Sequence, residues 1–253
     1  MSPKTGPFDL LAASPEPGSP PVLLGRETGF ALKLLAPPVA GSDVRPQPPG
    51  QGQVLVGLAG EGRIEEVGGA EGRVVSTTRV PRGATIGPGQ LFRVANDARW
   101  TLVSDVPGTR LLALSTSVPR EVQRSTDILA EASRRWGLGA VRVFGNEAVR
   151  VDFVAARGRL PLRGWTLRAR QTEGVEYLLG LQGAFTVRLV CPTEGASARR
   201  LASGELLRLA PGTSFRLRAE GGQPSVALVI TGRAASEGGT VRREDVQGFS
   251  PFG

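Results

Sequence analysis

The sequence predicts an all-β protein built from two similar halves, each a barrel or sandwich, joined by one helix. Glycine (35) and proline (20) are frequent among its 253 residues, as expected when many short strands are joined by tight turns. Short apolar segments recur with turn residues between them, a pattern typical of sandwiches and barrels. One block of sequence also occurs twice, so the two halves are expected to share one fold.

The duplication is visible in two pairs of segments. Residues 54–60 (VLVGLAG) match residues 177–183 (YLLGLQG), and residues 88–93 (PGQLFR) match residues 211–216 (PGTSFR). Both pairs are related by the same offset of 123 positions, without a gap. We therefore expect the four segments to occupy equivalent places in two copies of one β-rich unit.

The first half is predicted to be an arm followed by a barrel unit. Residues 1–22 are rich in Pro, Ser and Gly, which predicts a flexible N-terminal arm. Residues 23–117 are assigned to the N-terminal barrel. Residues 60–62 (GEG) predict a hairpin turn rather than a phosphate-binding loop, because neither a helix nor a Lys-Ser/Thr pair follows. The strands predicted here are residues 30–35, 54–58, 63–67, 73–80, 91–95, 100–104 and 110–115.

The pattern becomes helical after Pro119. Apolar residues recur at helical spacing between residues 120 and 136, and Pro119 suits a helix start. We predict one helix here and assign residues 118–137 to a bridge between the halves. Residues 138–232 are assigned to the C-terminal barrel, and residues 233–253 to a flexible tail. The strands predicted in the second half are residues 141–144, 149–155, 165–170, 176–181, 185–190, 206–209, 214–218 and 225–231.

Composition excludes several kinds of chemistry. The chain has no histidine, which removes the commonest metal ligand and the commonest general acid or base near neutral pH. Its single cysteine, Cys191, cannot form an internal disulfide or a cysteine-based zinc site. A reducing, cytoplasmic setting is therefore expected. No apolar stretch approaches the roughly 20 residues that span a bilayer, so no membrane association is expected.

The positive charge of the chain comes almost entirely from arginine. The formal net charge is +8, and Lys4 and Lys33 are the only lysines. Such a balance can indicate nucleic acid or another anionic partner. The arginines are scattered, however, with no run of five or more. The sequence therefore favours an arginine-rich solvated surface over a nucleic-acid-binding protein, which would need its arginines gathered on one face.

The matched segments resemble the two motifs of the cupin superfamily, whose members are small double-stranded β-helix (jelly-roll) barrels. The first family motif places two histidines and a glutamate ahead of a strand that ends in glycine. The second places a proline–glycine turn before a histidine and an asparagine. The resemblance extends over roughly residues 25–232 and implies two tandem barrels, a bicupin. It also implies a homodimer, or a monomer in which the two barrels contact each other.

The metal ligands of the family do not carry over to this sequence. The family glutamate falls on Gln53 in the first half and on Glu176 in the second, and the second-motif histidine falls on Phe92 and Phe215. The asparagine is kept only once, as Asn96. Because side chains alternate faces along a strand, both phenylalanines are expected to point into the barrels. We therefore expect no bound metal and no other cofactor.

Glu176 is the main candidate for a polar group inside a barrel. A buried Glu176 could act as a general base, whereas the favoured interpretation is an ion pair with an arginine such as Arg168 or Arg170, or a place at a solvated barrel mouth. Tyr177, the next residue, is expected to face away from it, at the surface or between the barrels. The candidate pocket residues are Gln53, Phe92, Asn96, Trp165, Glu176, Leu178 and Phe215.

The sequence favours a non-catalytic binding, regulatory or assembly role. Its partner would be a small ligand in the C-terminal barrel or a protein on a sheet face. The main alternative, implied by the resemblance, is a metal-independent isomerase, epimerase or lyase acting on a sugar or small acid with Glu176 as the base. A third possibility is nucleic-acid binding through surface arginines. Arg93 and Arg216 are expected to face outward, as solvated residues rather than as subunit or inter-sheet contacts.

Overall fold

The computed structural model describes residues 6–13, 15–39, 52–66, 84–96, 100–118, 125–135, 140–157, 170–172 and 174–233. Across these ranges it contains one helix, α1 (Ile128–Arg134), and nineteen strands, which confirms the all-β prediction. The strands are β1 (Phe8–Asp9), β2 (Val22–Glu27), β3 (Phe30–Leu35), β4 (Gly52–Ala59), β5 (Gly62–Glu66), β6 (Ala84–Ile86), β7 (Gln90–Val94), β8 (Trp100–Ser104), β9 (Arg110–Thr116), β10 (Ser125–Asp127), β11 (Ala140–Gly145), β12 (Val149–Arg157), β13 (Arg170–Gln171), β14 (Glu176–Gln182), β15 (Ala184–Cys191), β16 (Gly195–Ala202), β17 (Glu205–Leu209), β18 (Ser214–Ala219) and β19 (Pro224–Gly232).

Each half combines one six-stranded sheet with one smaller sheet. In the N-terminal barrel the orders are β10-β7-β4-β9-β3-β2 and β6-β5-β8. In the C-terminal barrel they are β1-β17-β14-β19-β12-β11 and β13-β18-β15-β16. The six-stranded sheets correspond strand for strand, with β4 and β14 in equivalent central places.

The first repeated segment forms these two central strands, as predicted. The first glycine of the segment, Gly57 or Gly180, is required in both copies because another stretch of the backbone passes close to it. A Cβ atom on Gly57 would overlap the carbonyl oxygen of Gly87, and one on Gly180 would overlap that of Ala202. Both strands also shift register against their neighbour just after this glycine.

The second repeated segment is not equivalent in the two barrels. β7 lies against β4 with Phe92 opposite Leu55, whereas β17 lies against β14 with Leu207 opposite Leu178. The counterpart of Phe92 is therefore Leu207. The prediction that Phe92 and Phe215 occupy matching positions is wrong.

A difference in hairpin length explains this error. Gly204 is the counterpart of Gly89, because their N–H groups donate to the carbonyls of the equivalent strands β14 and β4 at 2.9 and 3.0 Å. These glycines are separated by 115 positions rather than 123. Residues 67–83 separate β5 from β6, but only residues 192–194 separate β15 from β16. The constant offset seen in the second segment is thus a coincidence of sequence.

The buried apolar side chains of the described residues form three clusters with different places in the fold. The largest cluster contains residues from both six-stranded sheets, including Leu32, Leu112, Val151 and Leu228, so these sheets pack face to face. The other two clusters lie inside the individual barrels and join each six-stranded sheet to its smaller partner. In each six-stranded sheet one face therefore meets the other barrel and the opposite face lines the interior of its own barrel.

The helix is shorter than predicted and does not serve only as a bridge. α1 begins at Ile128, because the preceding residues of β10 are extended and pair with β7. Asp127 caps the helix by accepting a hydrogen bond from the Ala130 N–H at 2.8 Å. Ile128 and Ala132 are buried in the core between the barrels. The N-terminal barrel therefore extends beyond the predicted boundary at residue 117.

The N-terminal segment is part of the C-terminal barrel rather than a flexible arm throughout. β1 pairs with β17, and the following Leu10 is completely buried. Asp9 accepts hydrogen bonds from the N–H groups of Leu11 and Ala12, both at 2.9 Å. β1 occupies in its sheet the place that β10 occupies in the other. The predicted tail, apart from Arg233, lies outside the described residues.

Candidate functional site

The candidate site lies on the inner face of the six-stranded sheet of the C-terminal barrel. Glu176 begins β14, and alternation directs it to the same side as Leu178, a member of the interior cluster. Tyr177 points the other way, into the core between the barrels. The prediction that Glu176 and Tyr177 face opposite sides is confirmed, with Tyr177 in inter-barrel packing.

Glu176 is completely buried and engaged by its neighbour on β19. Thr231 lies directly opposite it, and the Thr231 hydroxyl donates a hydrogen bond to Glu176 Oε1 at 3.1 Å. On the other side the strand neighbour is Leu209. The carboxylate is thus placed at the end of an apolar interior. The Glu176 side chain is not at a solvated mouth.

Arg150 and Asp152 on β12 extend this polar region and were missed by the sequence analysis. Arg150 lies next to Thr231 in the sheet, and its Nε lies 2.6 Å from Asp152 Oδ2. Asp152 has no exposed surface. The signal was present in the sequence, because polar residues 150 and 152 alternate with apolar ones. The apolar side of β12 packs between the barrels, so its polar side faces inward rather than toward solvent.

The N-terminal barrel has uncharged residues at the positions equivalent to Glu176 and Thr231. Gln53 is the counterpart of Glu176, and Ser115 lies opposite it as Thr231 lies opposite Glu176. Gln53 is half-buried. Among the described residues, neither Gln53 Oε1 nor Ser115 Oγ has a hydrogen-bond partner. The two barrels therefore differ in charge at equivalent positions.

The residues at the two implied positions of the second-motif histidine do not fit a metal ion. Leu102 of β8 and Leu217 of β18 are counterparts by register, so Trp100 and Phe215, two residues earlier on each strand, are counterparts as well. Both rings are buried in the interior clusters. The histidine position of the N-terminal barrel is thus taken by Trp100, not by Phe92. Within the described ranges no three His, Cys, Asp or Glu residues lie together as a possible metal site.

The other predicted pocket residues have structural roles or are not described. Phe92 belongs to the interior cluster of the N-terminal barrel, and Phe215 and Leu178 belong to that of the C-terminal barrel. Asn96 is not a pocket residue, because its Oδ1 accepts the N–H groups of Gly52 and Val118 at 2.8 and 2.7 Å. It holds the start of β4 to the chain beyond β9. Trp165, Arg168 and the side chain of Arg170 lie outside the described residues.

A second polar group lies between the barrels. The Tyr177 hydroxyl donates to Glu27 Oε1 at 2.6 Å, and Arg208 donates to the same oxygen at 3.2 Å. Burial, and then the hydrogen bond to Glu27, raises the pKa of Tyr177 to about 12. The hydroxyl fits here because residue 25 is glycine. A Cβ atom at that position would overlap the hydroxyl. The tyrosine is therefore a neutral contact that joins the two halves.

The counterpart of Arg208 is Arg93, which corrects another prediction. Arg93 is buried, and its guanidinium donates to the carbonyl oxygen of Val143 in β11 of the other barrel. It was predicted to be a solvated outward residue. Arg216, which was expected to match it, is exposed on β18. Each barrel thus extends one arginine, Arg93 or Arg208, onto the outermost strand of the other.

Solved structures with a similar fold include a cupin-domain protein. A cupin 2 conserved barrel domain protein from Leptotrichia buccalis aligns over 90% of this chain and 96% of its own, with a TM-score of 0.66 and 12% identity. A putative glyoxylate-induced protein from Pseudomonas aeruginosa aligns over 87% of this chain and 80% of its own, with a TM-score of 0.54 and 14% identity. These likenesses show that the chain has the double-stranded β-helix fold of cupins. No protein-family model matches the sequence, and no curated protein matches it at a significant level.

In the part of the chain that the structure describes, no helix is long and apolar enough to cross a membrane.

Proposed function

We propose that this bicupin-like chain is a non-catalytic, metal-free binding protein whose partner contacts a sheet face rather than a barrel interior. The observation that carries the proposal is the packing of Trp100 and Phe215 inside the barrels. Each ring is no more than 2% exposed and takes the place where the resemblance implies a metal-binding histidine. An apolar ring offers no lone pair to a metal ion.

The surroundings of Phe215 support the same proposal. Phe185, Val187, Leu201 and Leu217 are all completely buried beside it in the interior cluster. Interiors packed with aromatic and aliphatic side chains are close-packed, and a ligand would have to displace them. A barrel filled in this way serves as a scaffold.

A metal-independent enzyme is the second candidate, and one observation favours it. Glu176 and Thr231 lie in one row with Arg150, which is paired with Asp152. A carboxylate beside a guanidinium could bind and deprotonate a small acid or sugar. Against this candidate, Glu176 has no exposed surface and its Oε1 already accepts from Thr231.

A ligand screen with a matched variant distinguishes the two candidates. The melting temperature of wild-type protein and of Glu176→Gln is measured with a panel of sugars and small carboxylic acids at millimolar concentration. The proposed function predicts no compound that raises the melting temperature of the wild type. A compound that stabilises the wild type but not E176Q would contradict it, because stabilisation by a ligand reports binding to the folded state. Gln53→Glu is the matched control, since it changes the equivalent position of the other barrel.

A further inference from the structure

The outer face of the smaller sheet of the C-terminal barrel gathers arginines that are scattered in the sequence. On β18, Arg216 and Arg218 alternate with the buried Phe215 and Leu217, so they point outward. On β15, Arg188 is exposed between two buried residues. On β16, Arg200 is exposed beside buried Leu201. We call Arg188, Arg200, Arg216 and Arg218 the arginine face.

Strand pairing brings the four side chains together. Arg188 lies directly opposite Arg216. Thr186, two residues before Arg188, lies between Arg218 on one side and Arg200 on the other. With strands about 4.8 Å apart and about 6.8 Å between alternate residues, the arginine face spans roughly 10 Å by 7 Å. Four guanidinium groups within this area produce a local positive field.

Glu220 lies within the arginine face and neutralises part of its charge. Glu220 Oε2 accepts from Arg200 Nε at 3.0 Å, and Glu220 Oε1 accepts from the Thr186 hydroxyl at 2.8 Å. Among the described residues no ion pair engages Arg216 or Arg218, so this part of the arginine face keeps its positive charge. Glu220 also holds Arg200 in place across the sheet.

The equivalent face of the N-terminal barrel shows that this cluster does not simply follow from an arginine-rich composition. By register, Thr101 and Val103 of β8 occupy the positions of Arg216 and Arg218. Both are buried, with 7% and 6% exposure. The same fold therefore carries exposed arginines in one barrel and covered, uncharged residues at these two positions in the other.

The chemistry of the arginine face fits the phosphate backbone of a nucleic acid duplex. Arginine binds phosphate through two parallel hydrogen bonds and is less strongly hydrated than lysine. No aromatic side chain is exposed on the described strands of this sheet, and stacking platforms of that kind characterise single-strand binding. Among the described residues of this sheet, Val190 is the one large apolar residue that is exposed, whereas membrane-surface binding also needs an apolar area that inserts into the membrane.

We infer that the arginine face binds the phosphate backbone of double-stranded DNA without reading its sequence. The inference rests on the proposed function, because it names the partner of a sheet face. Along 10 Å of duplex axis one strand presents roughly three phosphates. Three such contacts give a slope of log K against log salt of about −2.7, so affinity should fall about 40-fold between about 50 and 200 mM salt.

The test is fluorescence anisotropy of a labelled duplex of mixed sequence, titrated with the untagged full chain at several salt concentrations. Wild-type protein should bind with the stated slope. Arg216→Gln with Arg218→Gln should weaken binding by about tenfold or more at about 50 mM salt and make the slope shallower by about 1.8. The control is Arg26→Gln with Arg142→Gln, which removes two exposed arginines from β2 and β11 and should leave binding nearly unchanged.

Several results would overturn the inference. The first two are a lack of duplex binding at about 50 mM salt and an equal loss of affinity in R216Q/R218Q and in the control variant. The other two are tighter binding of a single strand than of the duplex, and binding of anionic vesicles without binding of DNA. Each can occur while the barrels remain metal-free and non-catalytic, so the proposed function would stand. Conversely, bound metal or a ligand dependent on Glu176 would contradict the proposed function without changing the DNA titration.

Discussion

Replacing Tyr177 with Phe should weaken the contact between the barrels by an amount that can be worked from the structure. The variant removes one hydroxyl and keeps the ring, whose centroid lies 6.4 Å from that of Phe30 in an edge-on arrangement. The lost hydrogen bond, 2.6 Å long, goes to the carboxylate of Glu27. Hydrogen bonds to charged groups contribute about 1.5–3 kcal/mol, so Y177F should lower the free energy of unfolding by about 2 kcal/mol. Its melting temperature should fall by about 4–8 °C.

The pH dependence of Tyr177 provides an independent measure of the same contact. Its pKa is raised from 10.0 to about 12 in the folded protein, so folding favours the protonated phenol. The stability this contributes is fully present below about pH 10 and is lost as pH rises through about 12. A difference of two pKa units corresponds to about 2.7 kcal/mol. The stability difference between wild type and Y177F should therefore shrink between these two pH values.

Two measurements check this prediction. Chemical denaturation, followed by tryptophan fluorescence, gives the free energies of unfolding, and tyrosinate absorbance gives the pKa directly because Tyr177 is the only tyrosine. Glu27→Gln is the control: it keeps an acceptor for the hydroxyl but removes the acceptor's charge, and with it the ion pair with half-exposed Arg208, so it should cost less than Y177F. Folded protein in which Tyr177 titrates near its ordinary pKa would refute the reasoning, as would a stability difference independent of pH.

Three further predictions concern the fold. Gly180→Ala should prevent accumulation of folded protein, because the added Cβ would overlap the carbonyl oxygen of Ala202. The control is Gly145→Ala, where the atom nearest to the added Cβ is 3.7 Å away, and this variant should express and melt like the wild type. Asn96→Ala should lower the free energy of unfolding by about 2 kcal/mol or more in a denaturant titration, since it leaves two backbone N–H groups unpaired; a smaller loss would argue against its bracing role. Phe215→Ala should lower the free energy of unfolding by about 3–5 kcal/mol through cavity formation. A near-neutral result would mean that the barrel is not packed around this ring.

The sequence allowed the fold to be predicted where a residue type is dictated by backbone geometry. Gly57 and Gly180 recur because another stretch of the backbone passes close to each. The first repeated segment therefore located the central strand of each barrel. The second segment misled because the stretch between the matched glycines is eight residues longer in the N-terminal barrel (Gly60 to Gly89) than in the C-terminal barrel (Gly183 to Gly204), which changes the offset from 123 to 115. As a result Arg93 was matched with Arg216, although its structural counterpart is Arg208.

The remaining errors came from faces whose partners lie far away in the sequence. The N-terminal segment is short and rich in proline and glycine, and only β17, almost 200 positions later, makes β1 a strand. Arg150 and Asp152 alternate with apolar residues, which ordinarily predicts a solvated polar side. Here the apolar side packs against the other barrel, and the polar side is turned inward. Such a choice depends on the second sheet and cannot be made from one strand.

The metal content of untagged protein tests the central claim most directly, because the native chain has no histidine and a histidine tag would itself bind metal. Elemental analysis by mass spectrometry would be combined with melting curves in the presence of a chelator and of added manganese or zinc. We expect far less than one metal ion per chain and a melting temperature that neither addition changes. One transition-metal ion per chain, lost together with stability on chelation, would contradict it.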